Sequence, residues 1–223
     1  WGDVCAEAAS NGHLDIIQAA VRAGAAMGRR TCSNAARHGH FHVLAHAHAH
    51  HCEWDEWTTA AAARAGELAC LRFAMERGCE ANTTACAAAA EAGRLDVLIW
   101  LREQGVEWDE ETLVGAVRSG RLELCEWVCS HGCPSSPQVC AAAASSGRLE
   151  LLRWALRAGH EMDWSTCARA AQAGSLECLR FAIEHECEHN WCTPAAAAAG
   201  GHLALLRFAI EEAGCEADTT VVA

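Results

Sequence analysis

The stretch Ala92-Gly93-Arg94-Leu95-Asp96-Val97-Leu98 decides the fold, because the chain repeats its pattern eight times. The glycine returns every 27 residues, and a leucine or phenylalanine stands two places after it each time. A fixed period of this length without a gap is typical of a solenoid, in which each unit contacts only its neighbours. The sequence therefore predicts eight 27-residue repeats that form one array over residues 1–223. The glycines are Gly12, Gly39, Gly66, Gly93, Gly120, Gly147, Gly174 and Gly201.

Each repeat has the pattern of two short helices. Residues 58–65 combine two threonines, one of which we expect to cap the helix, with alanine, the strongest helix former. Gly66 is expected to end this helix in a left-handed conformation, and a second helix is predicted over residues 68–77. Thr193-Pro194 is the equivalent start in the last repeat, where proline suits the first helical position. The sequence therefore predicts an all-α chain.

The repeated apolar residues predict how the helices pack. A helix of this length is not stable alone, so we expect the alanines to let neighbouring first helices approach closely. Bulky aromatic residues recur seven places after the glycine and are predicted to fill the remaining core. They are Phe73, Trp100, Trp127, Trp154, Phe181 and Phe208.

Charge and hydropathy restrict the function. The chain has 17 basic and 29 acidic residues, a net charge of −12. Proteins that bind nucleic acids usually carry a basic stripe, so we expect no nucleic-acid partner. No apolar run of about 18 residues is present, and no membrane span is predicted. No phosphate-binding glycine loop, Ser/His/Asp set or HExxH motif is present, so we predict a chain that is not an enzyme and needs no cofactor.

The 15 cysteines fall into repeat columns rather than a disulfide framework. Equivalent positions in adjacent repeats are expected to lie roughly 8–10 Å apart, whereas a disulfide needs Cα atoms within about 7 Å. We therefore interpret most of them as small buried apolar side chains in an intracellular, reducing compartment, either cytoplasm or nucleus, with an organelle left open. One column contains Cys32, Cys86, Cys140 and Cys167, and the other contains Cys52, Cys79, Cys133 and Cys187.

Both ends of the chain continue the repeat. Trp1 already lies within the repeat frame, and after a one-residue insertion residues 218–223 match the start of a ninth unit. Solenoids need polar caps at their ends, and neither end has the pattern of one. We therefore expect the chain to be a segment of a longer polypeptide.

These features resemble the ankyrin repeat over nearly the whole chain. The shared features are Thr-Pro at 193–194, Ala-Ala before the turn, Gly-His-Leu at 12–14 and 201–203, and Gly-Cys after the second helix. The resemblance implies stacked helix-turn-helix units that bind other proteins. Ankyrin repeats have about 33 residues and include a β-turn finger, so a shorter repeat predicts a finger that is reduced or absent. Leucine-rich repeats have a similar length, but their L-x-x-L-x-L spacing is missing.

A histidine-rich segment in the second repeat departs from the pattern. His42, His46 and His50 are spaced to share one helix face, and this spacing is compatible with zinc or copper, with Asp15 as a further ligand. The alternative is a half-exposed helix in which histidines replace other residues and His51 replaces the usual glycine. In that case, pH-sensitive local stability is expected.

The residues that vary within the fixed frame are the candidates for partner contact, because tryptophan and arginine are frequent interface hot spots. We predict a non-catalytic scaffold that binds a protein through its concave face and inter-repeat loops. Alternatives are a permanently bound architectural or linker subunit of a large complex and a histidine metal site. The tryptophans among the candidates could instead cover the seam between repeats. The predicted protein-binding residues are Arg30, Trp57, Arg64, Glu91, Glu111, Arg118, Trp164, Arg169 and Trp191.

Overall fold

The computed structural model describes residues 2–215, with side chains from Val4 onward. This stretch contains sixteen α-helices and one π-helical turn, and no β-strand occurs within it. First and second helices alternate along the eight repeats, which confirms the predicted all-α, helix-turn-helix fold with a β-finger that is reduced or absent. The expectations for Trp1 and for a ninth unit at 218–223 fall outside the described residues.

The helix bounds follow the repeat. The first helices are α1 (Gly2–Ser10), α3 (Arg29–Arg37), α5 (Glu56–Ala65), α7 (Thr83–Glu91), α9 (Glu110–Ser119), α11 (Gln138–Ser145), α13 (Trp164–Gln172) and α15 (Cys192–Ala199). The second helices are α2 (Leu14–Arg22), α4 (Phe41–Ala49), α6 (Leu68–Glu76), α8 (Leu95–Glu103), α10 (Leu122–Ser130), α12 (Leu149–Arg157), α14 (Leu176–Glu184) and α16 (Leu203–Arg207). The last of these continues into the π-helical turn Phe208–Glu212.

The chain forms two compact units, Trp1–Gly115 and Ala116–Ala223, with the boundary inside α9. In the first unit, α1, α3, α5 and α7 pack side by side in that order. In the second unit, α11, α13 and α15 do the same, and the second helices α12 and α14 also pack against each other. The predicted stacking of adjacent repeats is therefore present within each unit. A single array of all eight repeats remains a prediction.

Alanine forms the contact layer between the first helices. Ala62 and Ala89 in the first unit and Ala143 and Ala170 in the second are completely buried, which confirms the predicted close approach. Each of these alanines stands four places before its repeat's turn glycine, so one column of the sequence supplies one layer of the core.

The aromatic column is only partly buried. Trp154 and Phe208 are buried, as predicted, but the other four rings are half-exposed. Arginine side chains lie over some of them: the guanidinium carbon of Arg72 is 5.3 Å from the centre of the Trp100 ring. That of Arg153 is 5.6 Å from the ring of Phe181. The apolar stem of arginine can cover an aromatic face while its charge stays in water, so these rings form the edge of the core.

A left-handed residue ends both helices of most repeats. Gly66 has φ +87°, and the following Glu67 N–H donates to the Ala62 carbonyl oxygen at 3.0 Å, as expected for a glycine-ended helix. Gly78 ends the second helix in the same way, with φ +83°. His51 and Glu186 occupy the equivalent position elsewhere with φ +57° and +58°, where a side chain is unfavourable.

The prediction of a threonine N-cap was wrong. The Asp55 carboxylate accepts from the Trp57 N–H at 3.2 Å and so caps α5, whereas Thr58 lies three residues later and is fully buried. The Asn82 side chain caps α7 in the same way, at 3.0 Å from the Thr84 N–H. Pro194 is the third residue of α15 rather than the first, a position where its missing N–H is still tolerated because first-turn N–H groups lack intrahelical partners.

Where the column after the second helix has a cysteine, its thiol can bond to the start of the same repeat. The Cys79 thiol donates to the Asp55 carbonyl oxygen at 3.2 Å, and the Cys187 thiol donates to the Asp163 carbonyl oxygen at 3.0 Å. Burial raises the pKa of Cys79 to about 11, so this thiol stays protonated and remains a donor. These cysteines are buried and reduced, in agreement with the interpretation as packing residues.

In the second repeat, a thiol contact joins the two columns. Cys32 and Cys52 lie 20 positions apart, and their sulfur atoms are 3.3 Å from each other in the buried interior of the second repeat. This pair between columns was not predicted, because the expected spacing of roughly 8–10 Å applies only to positions along one column.

Candidate functional site

The three predicted contact tryptophans lie at the starts of first helices. The exposed fractions are 63% for Trp57, 45% for Trp164 and 53% for Trp191. The other tryptophans with described side chains are half-buried or buried, among them Trp154 at 7%. A ring that sealed a seam between repeats would lose most of its exposed surface, so these values favour contact outside the chain. An exposed ring of this size marks a candidate interaction surface.

Trp164 borders a cavity of about 440 Å³ at the loop between α14 and α15. The loop supplies Glu186, with its left-handed backbone, and Glu188 to the same cavity. His189 lies beside them, and its Nε2 is 3.0 Å from the Ala213 carbonyl oxygen. The loop edge that was predicted to bind a partner is therefore a concave surface beside an exposed indole ring.

Two predicted contact residues of the first unit pair with each other. Arg64 on α5 and Glu91 on α7 form an ion pair between neighbouring repeats. Both stand two places before the turn glycine, and their separation of 27 positions makes them neighbours on adjacent first helices. Arg30 and Glu111 are exposed near the starts of α3 and α9. At Arg64, the local positive charge is therefore balanced from within the chain.

Two predicted contact residues of the second unit line one cavity. Arg118 at the end of α9 and Arg169 on α13 border a space of about 230 Å³ over α11. Helix α11 supplies Gln138, Ala141, Ala142 and Ser145, and no acidic residue is among the lining residues. Arg169 also donates from Nη1 to Oε1 of Gln172 at 2.9 Å. We call this space, lined by these six residues, the arginine pocket.

The histidine segment does not assemble into a metal site. His42 Nε2 is 3.1 Å from the Gly12 carbonyl oxygen, whereas the rings of His46 and His50 pack against each other with centres 4.1 Å apart. Within the described residues, no group of three His, Cys, Asp or Glu side chains is placed to hold a metal ion. Burial, followed by the nearby His50, lowers the pKa of His46. The histidines therefore lie on a half-exposed helix, and the pH sensitivity of its stability remains a prediction.

Comparison with known proteins agrees with the helical repeat. The chain is similar to the human ASB11 ankyrin repeat domain in its crystal structure, with a TM-score of 0.54 and 17% sequence identity. The similarity covers 71% of this chain and 84% of that chain. The fold is that of ankyrin repeats. No protein-family model matches the chain, and no curated protein matches it.

The arginine pocket was not predicted, although its two arginines were both among the candidates. The signal was present, because Arg118 and Ser145 are 27 positions apart and therefore neighbours on adjacent helices. Each helix in residues 2–215 is too short or too polar to cross a lipid bilayer.

Proposed function

We propose that this chain is a protein-interaction module that binds a protein partner through its first helices and the loops that precede them. The exposure of Trp57, Trp164 and Trp191 carries this proposal, because each of these rings leaves apolar surface in water that a partner would bury. Replacing a tryptophan at the centre of an interface commonly weakens binding by more than about 1 kcal/mol. The ankyrin-repeat fold supports the proposal, since its stacked repeats present an extended surface.

Removing the three rings tests the proposal. The variant Trp57→Ala/Trp164→Ala/Trp191→Ala and the wild type are used to capture proteins from an extract of the native source, and the captured proteins are compared by mass spectrometry. We expect a set of proteins that the wild type retains and the variant loses, while both chains melt at the same temperature.

The matched control is Ile16→Ala/Phe41→Ala/Leu203→Ala, which removes exposed apolar side chains from the second helices instead. It is expected to retain the same partners as the wild type. If both variants lost the same captured proteins, the tryptophans would have no special role in partner binding. Resistance of the captured partner to high salt and mild denaturant would favour the permanently bound architectural subunit.

A further inference from the structure

We propose that Cys32 and Cys52 are a redox-active thiol pair that reacts with a peroxide and forms a reversible disulfide within the second repeat. Their sulfur atoms are 3.3 Å apart in the interior of that repeat. A disulfide bond is about 2.05 Å long, so the sulfur atoms need to approach each other by about 1.3 Å. This reactivity is separate from the binding of a protein partner and does not depend on it.

Most repeats have cysteine at only one of the two positions. Cys32 lies in α3, and Cys52 lies in the loop after α4, 20 positions later. In the third repeat the same two positions hold Thr59 and Cys79, so Cys79 has no thiol partner within its own repeat. The second repeat therefore combines two features that its neighbour has only in part.

The two thiols of the pair differ in access and in acidity. Cys32 is fully buried, whereas 7% of the surface of Cys52 is exposed. Cys32 donates its thiol hydrogen to the Cys52 sulfur atom, and this hydrogen bond lowers the pKa of Cys52. The thiolate is the reactive form of cysteine. Cys52 is therefore the thiol that meets the oxidant, and Cys32 reacts in the second step.

The reaction balances with hydrogen peroxide as the oxidant. The Cys52 thiolate attacks one peroxide oxygen, so that a sulfur–oxygen bond forms and the oxygen–oxygen bond breaks. The leaving hydroxide takes up the proton that the Cys52 thiol released and becomes water. The Cys32 sulfur then attacks the Cys52 sulfur, the sulfur–oxygen bond breaks, and the second hydroxide leaves as water with the Cys32 proton. The two thiols together lose two electrons, and the peroxide gains them.

The disulfide also changes a contact at the start of α3. In the reduced chain, the Cys52 thiol donates to the Gly28 carbonyl oxygen at 3.3 Å. Oxidation removes the thiol hydrogen and joins the loop after α4 covalently to α3 instead. A small dithiol restores both cysteines, because thiol–disulfide exchange is reversible.

Cys79 in the third repeat is an internal control for burial. It has 4% of its surface exposed, close to the value for Cys52. Thr59 stands where the second repeat has Cys32, and burial raises the pKa of Cys79 to about 11. A difference in oxidation between Cys52 and Cys79 therefore reports the presence of a thiol partner rather than a difference in exposure.

The seventh repeat contains the same pair, Cys167 and Cys187. A hydrogen bond between these two thiols raises the pKa of Cys167. The Cys187 thiol also donates to the Asp163 carbonyl oxygen at 3.0 Å, in the same way as Cys52 donates to Gly28. We expect this pair to be oxidised by the same two steps.

Peptide mapping after mild oxidation tests the proposal. The complete 223-residue chain is reduced, freed of reductant and treated with hydrogen peroxide at neutral pH. The remaining thiols are alkylated in denaturant, and trypsin then leaves Cys32 as the only cysteine of residues 31–37 and Cys52 as the only cysteine of residues 38–64. Mass spectrometry is expected to show these two peptides joined, with the loss of two hydrogen atoms. The joined peptides should form about tenfold faster, or more, than any oxidised form of Cys79, and dithiothreitol should separate them.

Three variants test whether the pairing causes the reactivity. Cys52→Ala introduces the residue of the first repeat, Ala25, and is expected to leave Cys32 reduced. Cys32→Thr introduces the residue of the third repeat and is expected to slow the oxidation of Cys52 to the rate of Cys79. Thr59→Cys gives Cys79 the missing partner and is expected to join positions 59 and 79 as fast as the natural pair. Melting curves recorded before oxidation check that each variant is folded.

Oxidation of Cys52 no faster than that of Cys79 would overturn the proposal. Peptides that join Cys52 to Cys5, or Cys32 to Cys79, would also overturn it, because these thiols interact with the pair from neighbouring repeats. A linked pair in the seventh repeat without a linked pair in the second, or a Thr59→Cys variant in which Cys79 stays reduced, would do the same.

Discussion

The first helices of the two units share one backbone frame but differ in the charges that they present. In the first unit, Arg64 forms an ion pair with Glu91 of the next repeat. In the second unit, serine replaces the glutamate, and Arg118 shares a pocket with Arg169. The buried alanines below these residues are the same in both units. The frame therefore fixes where side chains stand, while single exposed positions determine which polar and charged groups the surface presents.

The substitutions with the largest expected effect on stability test whether the two units have the same helix packing. Ala62→Leu in the first unit and Ala143→Leu in the second each insert a large side chain into a fully buried contact. We expect each to lower the free energy of unfolding by about 1–3 kcal/mol, because overpacking displaces the neighbouring helix. Urea unfolding measures the change. Ala23→Leu and Ala158→Leu, at exposed positions, are the controls, and a large loss in only one unit would contradict a shared frame.

Substitutions in the left-handed turn after the second helix are expected to have a smaller effect on stability. Gly78→Ala in the first unit and Gly159→Ala in the second are each expected to cost about 1–2 kcal/mol, because both glycines have positive φ. An added Cβ would meet no atom within 4 Å at either position, so the cost is conformational. The opposite change, His51→Gly, is expected to stabilise the chain by about 1 kcal/mol. Thermal unfolding tests both directions, and a destabilised His51→Gly would show that the histidine ring contributes more than its backbone costs.

The smallest expected effect is a loss of folding stability at acidic pH, which does not occur at neutral pH. Burial lowers the pKa of His160, whose Nδ1 is 2.8 Å from the Ser135 hydroxyl oxygen. The unfolded chain therefore binds a proton more readily, and the stability from neutral His160 is complete above about pH 6.5. It is lost as the pH falls through the folded-state pKa.

His160→Cys restores the residue found at the same place in other repeats, such as Cys79. We expect this variant to reduce the loss of stability between pH 7.5 and pH 5, roughly the range over which histidine titrates. Amide hydrogen exchange at both pH values resolves the second unit from the first. In the first unit, His46 also has a lowered pKa and should keep its acid sensitivity. An unchanged pH dependence in the second unit would exclude His160 as its source.

The repeat frame could be predicted from the sequence because its signals are local and recur. Gly66 and its equivalents end the first helices where the period places them, and the alanine layer follows from helix length. The predicted helix start was wrong because threonine was taken as the capping residue instead of Asp55. Asn82 and Asp163 stand at the position of Asp55 in other repeats, and this recurrence identifies the cap. A capping residue is found more reliably from its repetition than from one repeat.

The candidate site could be predicted only in part. Trp57, Trp164 and Trp191 were selected by residue type, and their exposure distinguishes them from the half-buried tryptophans. The two arginines of the pocket were selected in the same way, but their relation depends on how α9, α11 and α13 place their side chains. Residue type identifies candidates, whereas side-chain direction decides which of them act together.

The bond between the Cys79 thiol and the Asp55 carbonyl oxygen closes a loop of the chain within one repeat. The helices of each unit likewise contact their partners in the same repeat or the next one along. Such short separations bring little entropic cost during chain collapse, and proteins rich in local contacts fold quickly. Nucleation can begin in any repeat and spread to its neighbours. Each unit can therefore start to acquire structure while the rest of the chain is still being synthesised.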